Sequence, residues 1–106
     1  VKVFFMEDVQ KLGLDKTLQL AKQQVSQDTQ AYGLSIDIDA IDPAYAPGVG
    51  SPEKNGLNGK ALVESLAKMN FSDNFLGLEI AELNSDKDEN HKTAQLAMAL
   101  IHATLK

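Results

Sequence analysis

A chain of 106 residues, 43% hydrophobic and 24% charged, has the size and composition of one globular domain and no more. Fifteen acids against ten lysines, with no arginine, give a net charge of −5, which argues against nucleic acid and against an anionic membrane surface as partners; no apolar run approaches the roughly 20 residues of a membrane span. The absence of cysteine removes disulfides and thiol ligands and fits a reducing, cytoplasmic setting, and the opening VKVFFMED lacks the apolar length and cleavage site of a signal peptide.

Val1 to Met6, apolar and β-prone apart from Lys2, is predicted as a strand, followed by a polar link around Glu7–Gly13. Asp15 is expected to cap a helix through TLQLAKQQVSQ, with Leu18, Ala21 and Val25 on one face. Tyr32 to Ile38 reads as a second strand. It is apolar on both faces, as a parallel strand buried between layers would be. Residues 42–59 carry all three prolines and four of the seven glycines, which predicts a long, shaped loop. Gly59 to Met69 is predicted as an amphipathic helix with Leu62, Val63, Leu66 and Met69 inward. Phe75 to Leu83 reads as a third strand and NSDKDEN as a polar turn. Asn90 or Thr93 is then expected to cap a last helix ending near Thr104 or Leu105. The order β-α-β-α-β-α predicts an α/β fold with a parallel sheet and right-handed crossovers, without repeats or an internal linker.

One stretch resists the simple reading. In SIDIDAIDPAYAPG, residues 35 to 48, the apolar Ile36 and Ile38 alternate with Asp37 and Asp39, and Asp42 follows. An unpaired buried carboxylate costs several kcal/mol, so these charges need partners. Strand alternation puts Asp37 and Asp39 on one face, at the carboxyl end of a parallel strand, where α/β proteins bind ligands. Two carboxylates so placed repel unless a cation lies between them, and hard divalent ions prefer such oxygen ligands. The plainer reading is a solvated D-x-D pair. An EF-hand is excluded, because Ile41 and Asp42 stand where that loop needs Asp or Asn and then Gly. Asp42, before Pro43, reads as a turn residue accepting backbone N–H bonds.

The run SIDIDAIDPAYAPGVGSPEKNGL, residues 35 to 57, resembles the metal-binding signature S-x-D-x-D-x-x-D-P of the arginase/agmatinase/formiminoglutamase (ureohydrolase) family, with the P-G and G-L that follow it. Ser35, Asp37, Asp39, Asp42, Pro43, Pro47, Gly48, Pro52, Gly56 and Leu57 all match. GLEIAELNSDKDENHKTAQLA, residues 77 to 97, resembles that family's strand ending in a glutamate, then N, D and T-A-x-L-A before the final helix. VKVFFMEDVQKLGL resembles the segment that precedes the signature.

The resemblance covers essentially the whole chain. It implies that residues 1–106 are the carboxyl-terminal portion of a single arginase-like domain: three-layer α/β/α with a parallel sheet, represented here by about three β-α units. It implies a manganese-dependent hydrolase that cleaves a C–N bond of a linear amidine or guanidine through a hydroxide bridging two Mn2+ ions per intact site. By match, Asp37 bridges both metals, Asp39 binds one, and Glu82 pairs with the amidinium group of the substrate. A carboxylate suits that role because it accepts two N–H bonds in a fork. Glu79, three residues earlier and so on the other strand face, is expected to play a supporting or structural part.

The family's histidine ligands lie in a lone-His segment and a D-x-H-x-D motif, and neither is present here. His91 and His102 are therefore expected to be surface or packing residues. Because the chain lacks those ligands and does not begin with Met, it reads as a piece of something larger whose intact form is a homo-oligomer acting on a small guanidino or formimino substrate. The alternative is a non-catalytic truncated fold or assembly piece that binds metal weakly. The loop departs from the commoner G-T-G-T-P as G-V-G-S-P, and Lys54-Asn55 replace a Gly-rich step, so the substrate is open among arginine, agmatine and formiminoglutamate.

Overall fold

The computed structural model describes residues 2–27, 29–50 and 54–106; Val1, the first residue of the expected first strand, and Pro52 of the signature lie outside the described residues. The elements run α1 (Met6–Leu12), α2 (Leu14–Gln27), β1 (Tyr32–Asp37), a short 3-10 turn (Ile38–Ala40), α3 (Gly59–Lys68), β2 (Phe75–Ala81), a second 3-10 turn (Ser85–Lys87) and α4 (Lys92–Leu105).

β1 and β2 pair in parallel, with Ser35 opposite Glu79, Ile36 opposite Ile80 and Asp37 opposite Ala81. A parallel pair cannot be joined by a tight turn, and here α3 forms the connection. Ile36, Ile38, Ile41, Leu62, Leu66, Met69 and Leu100 make the core, with α3 packed on α4 and Leu14 and Leu18 of α2 added at its margin. Burial of each such side chain is worth roughly 1.5–3 kcal/mol. Asn58 caps α3 by accepting the Ala61 N–H at 3.0 Å. Only one face of the sheet is covered among the described residues. Gly33, Ser35 and Asp37 of β1 and Glu79 of β2 are exposed, so the expected two-sided burial of β1 is not met within this chain.

The first expected strand is not formed. Residues 2–5 take no regular structure and pair with no strand among the described residues, and Val3 and Phe5 are exposed. The Phe5 N–H instead donates to the Asp8 carboxylate at 2.9 Å, and the expected polar link is the helix α1. Glu7 and Asp8 lie in its first turn, where the unpaired N–H groups favour negative charge. Asp15 is likewise not a cap. α2 begins one residue before it, and its carboxylate takes the Ser65 hydroxyl and, at 3.4 Å, the Lys68 ammonium, tying α2 to α3. Those two partners hold the Asp15 carboxyl below its usual value, the Ser65 hydroxyl bond first.

Candidate active site at the carboxyl end of the sheet

The parallel register ends both strands together. Asp37 is the last residue of β1 opposite Ala81, and Glu82 is the next residue after β2, so Asp37, Asp39 and Glu82 lie at one sheet end, as the alternation of elements predicts. Asp39 reaches that end by a different route from the expected one. It is not a strand residue. The chain turns into a 3-10 turn after Asp37, whose Oδ1 accepts the Asp39 N–H at 2.9 Å, while the Ile41 N–H closes onto the Ile38 carbonyl at 3.0 Å. Period-two alternation does not apply across that turn. Ile38 and Ile41 are fully buried on either side of it, which leaves Asp37 exposed and Asp39 and Asp42 half-buried. The apolar side chains are the anchors of this segment, and the acids are left at the sheet end, where Asp37 and Asp42 accept backbone N–H groups.

Asp42 does what its place before Pro43 predicts. Its two carboxylate oxygens accept the N–H groups of Ala44 at 2.9 Å and Asn55 at 3.0 Å, closing the loop at both of its ends. The loop also pairs in parallel with the stretch after β1. The Leu57 N–H donates to the Ala40 carbonyl at 2.8 Å, and the Asp42 N–H to the Leu57 carbonyl at 2.9 Å. Gly56 permits that approach, since a Cβ there would lie 2.7 Å from the Ala40 oxygen.

Glu82 is exposed and sits at φ 68, in the left-handed region, where a residue with a β-carbon is strained by about 1–3 kcal/mol. Such strain persists only where the surroundings impose it. The chain before Glu82 is held in the ladder. The chain after it is held by the loop, through an antiparallel bridge between Leu83 and Val49 and a 2.6 Å bond from the Asn84 N–H to the Gly48 carbonyl. Glu79 accepts the Ser35 hydroxyl across the ladder at 2.9 Å, a supporting contact of the kind expected.

The cap of α4 is neither Asn90 nor Thr93. Asp88 fills that role, accepting the N–H groups of Thr93 at 2.9 Å and Ala94 at 3.1 Å, together with that of Glu89 at 2.9 Å. Desolvation pushes the Asp88 carboxyl up, and the hydrogen bonds from Thr93, Ala94 and Glu89 outweigh it, so its pKa is lowered. Asp88 acts across the left-handed residues Asn90 and His91, three positions ahead of the formal cap, so the usual spacing rule does not find it. The acid itself, next to the N-terminus of an apolar helix, was the available signal. His91 and His102 are both exposed, His91 just before the first turn of α4 and His102 in its last turn.

A hard divalent cation fits these residues. Asp39 Oδ1 is shut off from solvent and has no hydrogen-bond partner among the described residues, an arrangement that a cation would satisfy. Asp37 keeps oxygen lone pairs free beyond its bond to the Asp39 N–H. Asp37 borders a small apolar cavity of about 170 Å3, and Asp39 a more open hollow of about 460 Å3 shared with Phe4, Lys54 and Asn55. Among the described residues no three His, Cys, Asp or Glu side chains gather as a complete metal site.

The arginase family model matches residues 1–106. The arginase of Brevibacillus brevis is 36% identical over 101 residues, covering 95% of this chain and 34% of that protein. Among solved structures, the native arginase of Bacillus caldovelox aligns with a TM-score of 0.85 at 32% identity, covering 98% of this chain and 35% of that one. The formimidoylglutamase of Bacillus subtilis aligns with a TM-score of 0.91 at 26% identity, covering 100% of this chain and 33% of that one. The chain thus spans about a third of the length of the relatives it matches.

Proposed function

The chain belongs to the arginase family, and from that premise we propose that it is the carboxyl-terminal portion of a manganese-dependent ureohydrolase. The protein that carries it hydrolyses a C–N bond in a linear amidine or guanidine. The observation that supports this most is the meeting of Asp37, Asp39 and Glu82 at one sheet end, with Asp39 Oδ1 buried and unpartnered.

In this reading Asp37 and Asp39 would hold a pair of Mn2+ ions together with ligands outside these 106 residues. When bound, such a pair makes water a nucleophile near neutral pH and polarises the carbon–nitrogen centre. Glu82 accepts two N–H bonds from the cationic amidinium and fixes its plane. The negative end of the sheet draws a cationic substrate in, and Asp42 holds the loop above it. Arginine or agmatine is the first choice of substrate, since the curated relatives of the chain include arginases; formiminoglutamate is the other, given the likeness to a formimidoylglutamase. The intact protein is cytoplasmic and a homo-oligomer, and the isolated chain binds Mn2+ weakly and turns over nothing.

The test is an assay of the full-length protein with Mn2+ against arginine, agmatine and formiminoglutamate. Release of urea or formamide from one of them supports the reading, and failure to hydrolyse any amidine overturns it.

A further inference from the structure

We infer that Thr93 is a positioning residue for the Glu82 carboxylate, acting through Gly48. The inference rests on the reading of Glu82 as the acceptor of the substrate amidinium. Its starting point is geometric. Glu82 holds a left-handed backbone that its own side chain does not favour, and the residues that impose it are those directly downstream. Leu83 and Asn84 are pinned to Val49 and Gly48. Gly48 is in turn pinned by Thr93, whose Oγ1 accepts the Gly48 N–H at 2.7 Å.

Thr93 is fully buried at the start of α4, and its own N–H is fixed on Asp88 Oδ1 at 2.9 Å. Asp88 thus holds the Thr93 backbone while the Thr93 hydroxyl holds Gly48. Three hydrogen bonds therefore follow one another: Asp88 accepts the Thr93 N–H, the Thr93 hydroxyl accepts the Gly48 N–H, and the Gly48 carbonyl accepts the N–H of Asn84, two residues past Glu82. There is no slack in the arrangement: a β-carbon on Gly48 would lie 2.9 Å from the Asn84 carbonyl oxygen and from Asp88 Cβ, and 3.0 Å from Thr93 Oγ1. The same run joins the loop of the D-x-D signature to the strand end that carries Glu82. It sets where the amidinium acceptor stands relative to Asp37 and Asp39 without touching any of the three acids.

The experiment compares Thr93→Val, which keeps the size and removes the hydroxyl, with Thr93→Ser, which keeps the hydroxyl, in the full-length protein. Four quantities are read: kcat and KM on whichever amidine the wild type turns over, bound Mn2+ per chain, and amide exchange at Asn84 by mass spectrometry. Thr93→Val is expected to raise KM by about tenfold with a smaller change in kcat and unchanged Mn2+, since the lost interaction is with substrate binding. Exchange at Asn84 is expected to quicken by about tenfold, and Thr93→Ser to return both within roughly threefold of wild type. An unchanged KM in Thr93→Val, loss of Mn2+ in step with KM, or a serine variant as impaired as the valine variant overturns the inference. If the wild type hydrolyses no amidine, the functional reading fails by itself. The clamp is then judged on exchange alone, with unchanged Asn84 exchange in Thr93→Val overturning it and faster exchange, restored by serine, supporting it. Should Thr93→Val not fold, Asp88→Asn takes its place and must shift KM and Asn84 exchange in the same direction.

Discussion

Asp37, Asp39 and Asp42 stand within six residues of one another, and each carboxylate has a different employment. Asp42 is spent on two backbone N–H groups, Asp37 is partly spent on one, and Asp39 keeps an oxygen buried and unused. In the full-length protein, Asp37→Asn or Asp39→Asn should therefore remove most activity and weaken Mn2+ binding, because an amide keeps the shape but loses the charge that holds a hard dication. Metal analysis beside a turnover assay reads both. Asp42→Ala should instead lower stability by about 1.5–3 kcal/mol by freeing the Ala44 and Asn55 N–H groups, seen as a lower denaturation midpoint. Glu82→Gln should leave Mn2+ bound and damage substrate use alone, which separates an amidinium acceptor from a ligand. The turn role of Asp42 was legible because proline fixes the local backbone. The alternation of Asp37 with Asp39 was misleading because the strand stops between them, and a stop made by one side-chain-to-backbone bond leaves no periodic trace.

Helices and strands were legible where burial set the period. β1, α3, β2 and α4 fall within a few residues of their expected bounds, since Ile36, Leu62, Leu66, Ile80 and Leu100 mark a buried face. They were not legible where a partner in space decides. The apolar Val3–Phe5 stretch has the composition of a strand, but no neighbouring strand pairs with it among the described residues. The cap of α4 acts from Asp88 across two left-handed residues, where spacing rules point to Asn90 or Thr93. The lowered pKa of Asp88 gives this cap a pH signature. A carboxyl whose folded pKa lies below its unfolded value, about 3.9, contributes stability that is present above that value and lost as pH falls through the folded pKa. Acid denaturation below about pH 4 should therefore be shallower in Asp88→Asn than in wild type. A titration of thermal midpoints against pH checks it, and parallel curves for the two would contradict the assignment. The loop gives a second element-scale test. Gly56→Ala places a Cβ 2.7 Å from the Ala40 oxygen and 2.8 Å from the Asp42 nitrogen, both backbone atoms that cannot swing aside. It should cost roughly 1–3 kcal/mol and loosen the pairing of Ile41 with Leu57.

At the scale of the whole molecule, the chain spans about a third of the length of the arginase-family relatives it matches, and apolar surface is uncovered among its described residues. One sheet face is open, Leu76 is 79% exposed and Phe5 66% exposed, and both strands have a free edge among the described residues. Open edges and apolar patches recruit partners. The isolated chain is expected to self-associate or to melt without cooperativity, which sedimentation and calorimetry would show; a monomer with a single sharp transition would contradict it. The family was legible in the sequence because its motifs place acids, prolines and glycines at fixed separations over two segments. The claim that joins these points is that Asp37, Asp39 and Glu82 are one part of a two-metal amidine hydrolase and require ligands from beyond this chain. It is tested most directly by measuring urea or formamide release, with Mn2+ supplied, from the full-length protein, its Asp39→Asn variant and the isolated 106 residues side by side. Turnover by the wild-type full-length protein alone is the predicted result, and turnover by the Asp39→Asn variant at the wild-type rate, or by the isolated chain, would contradict it.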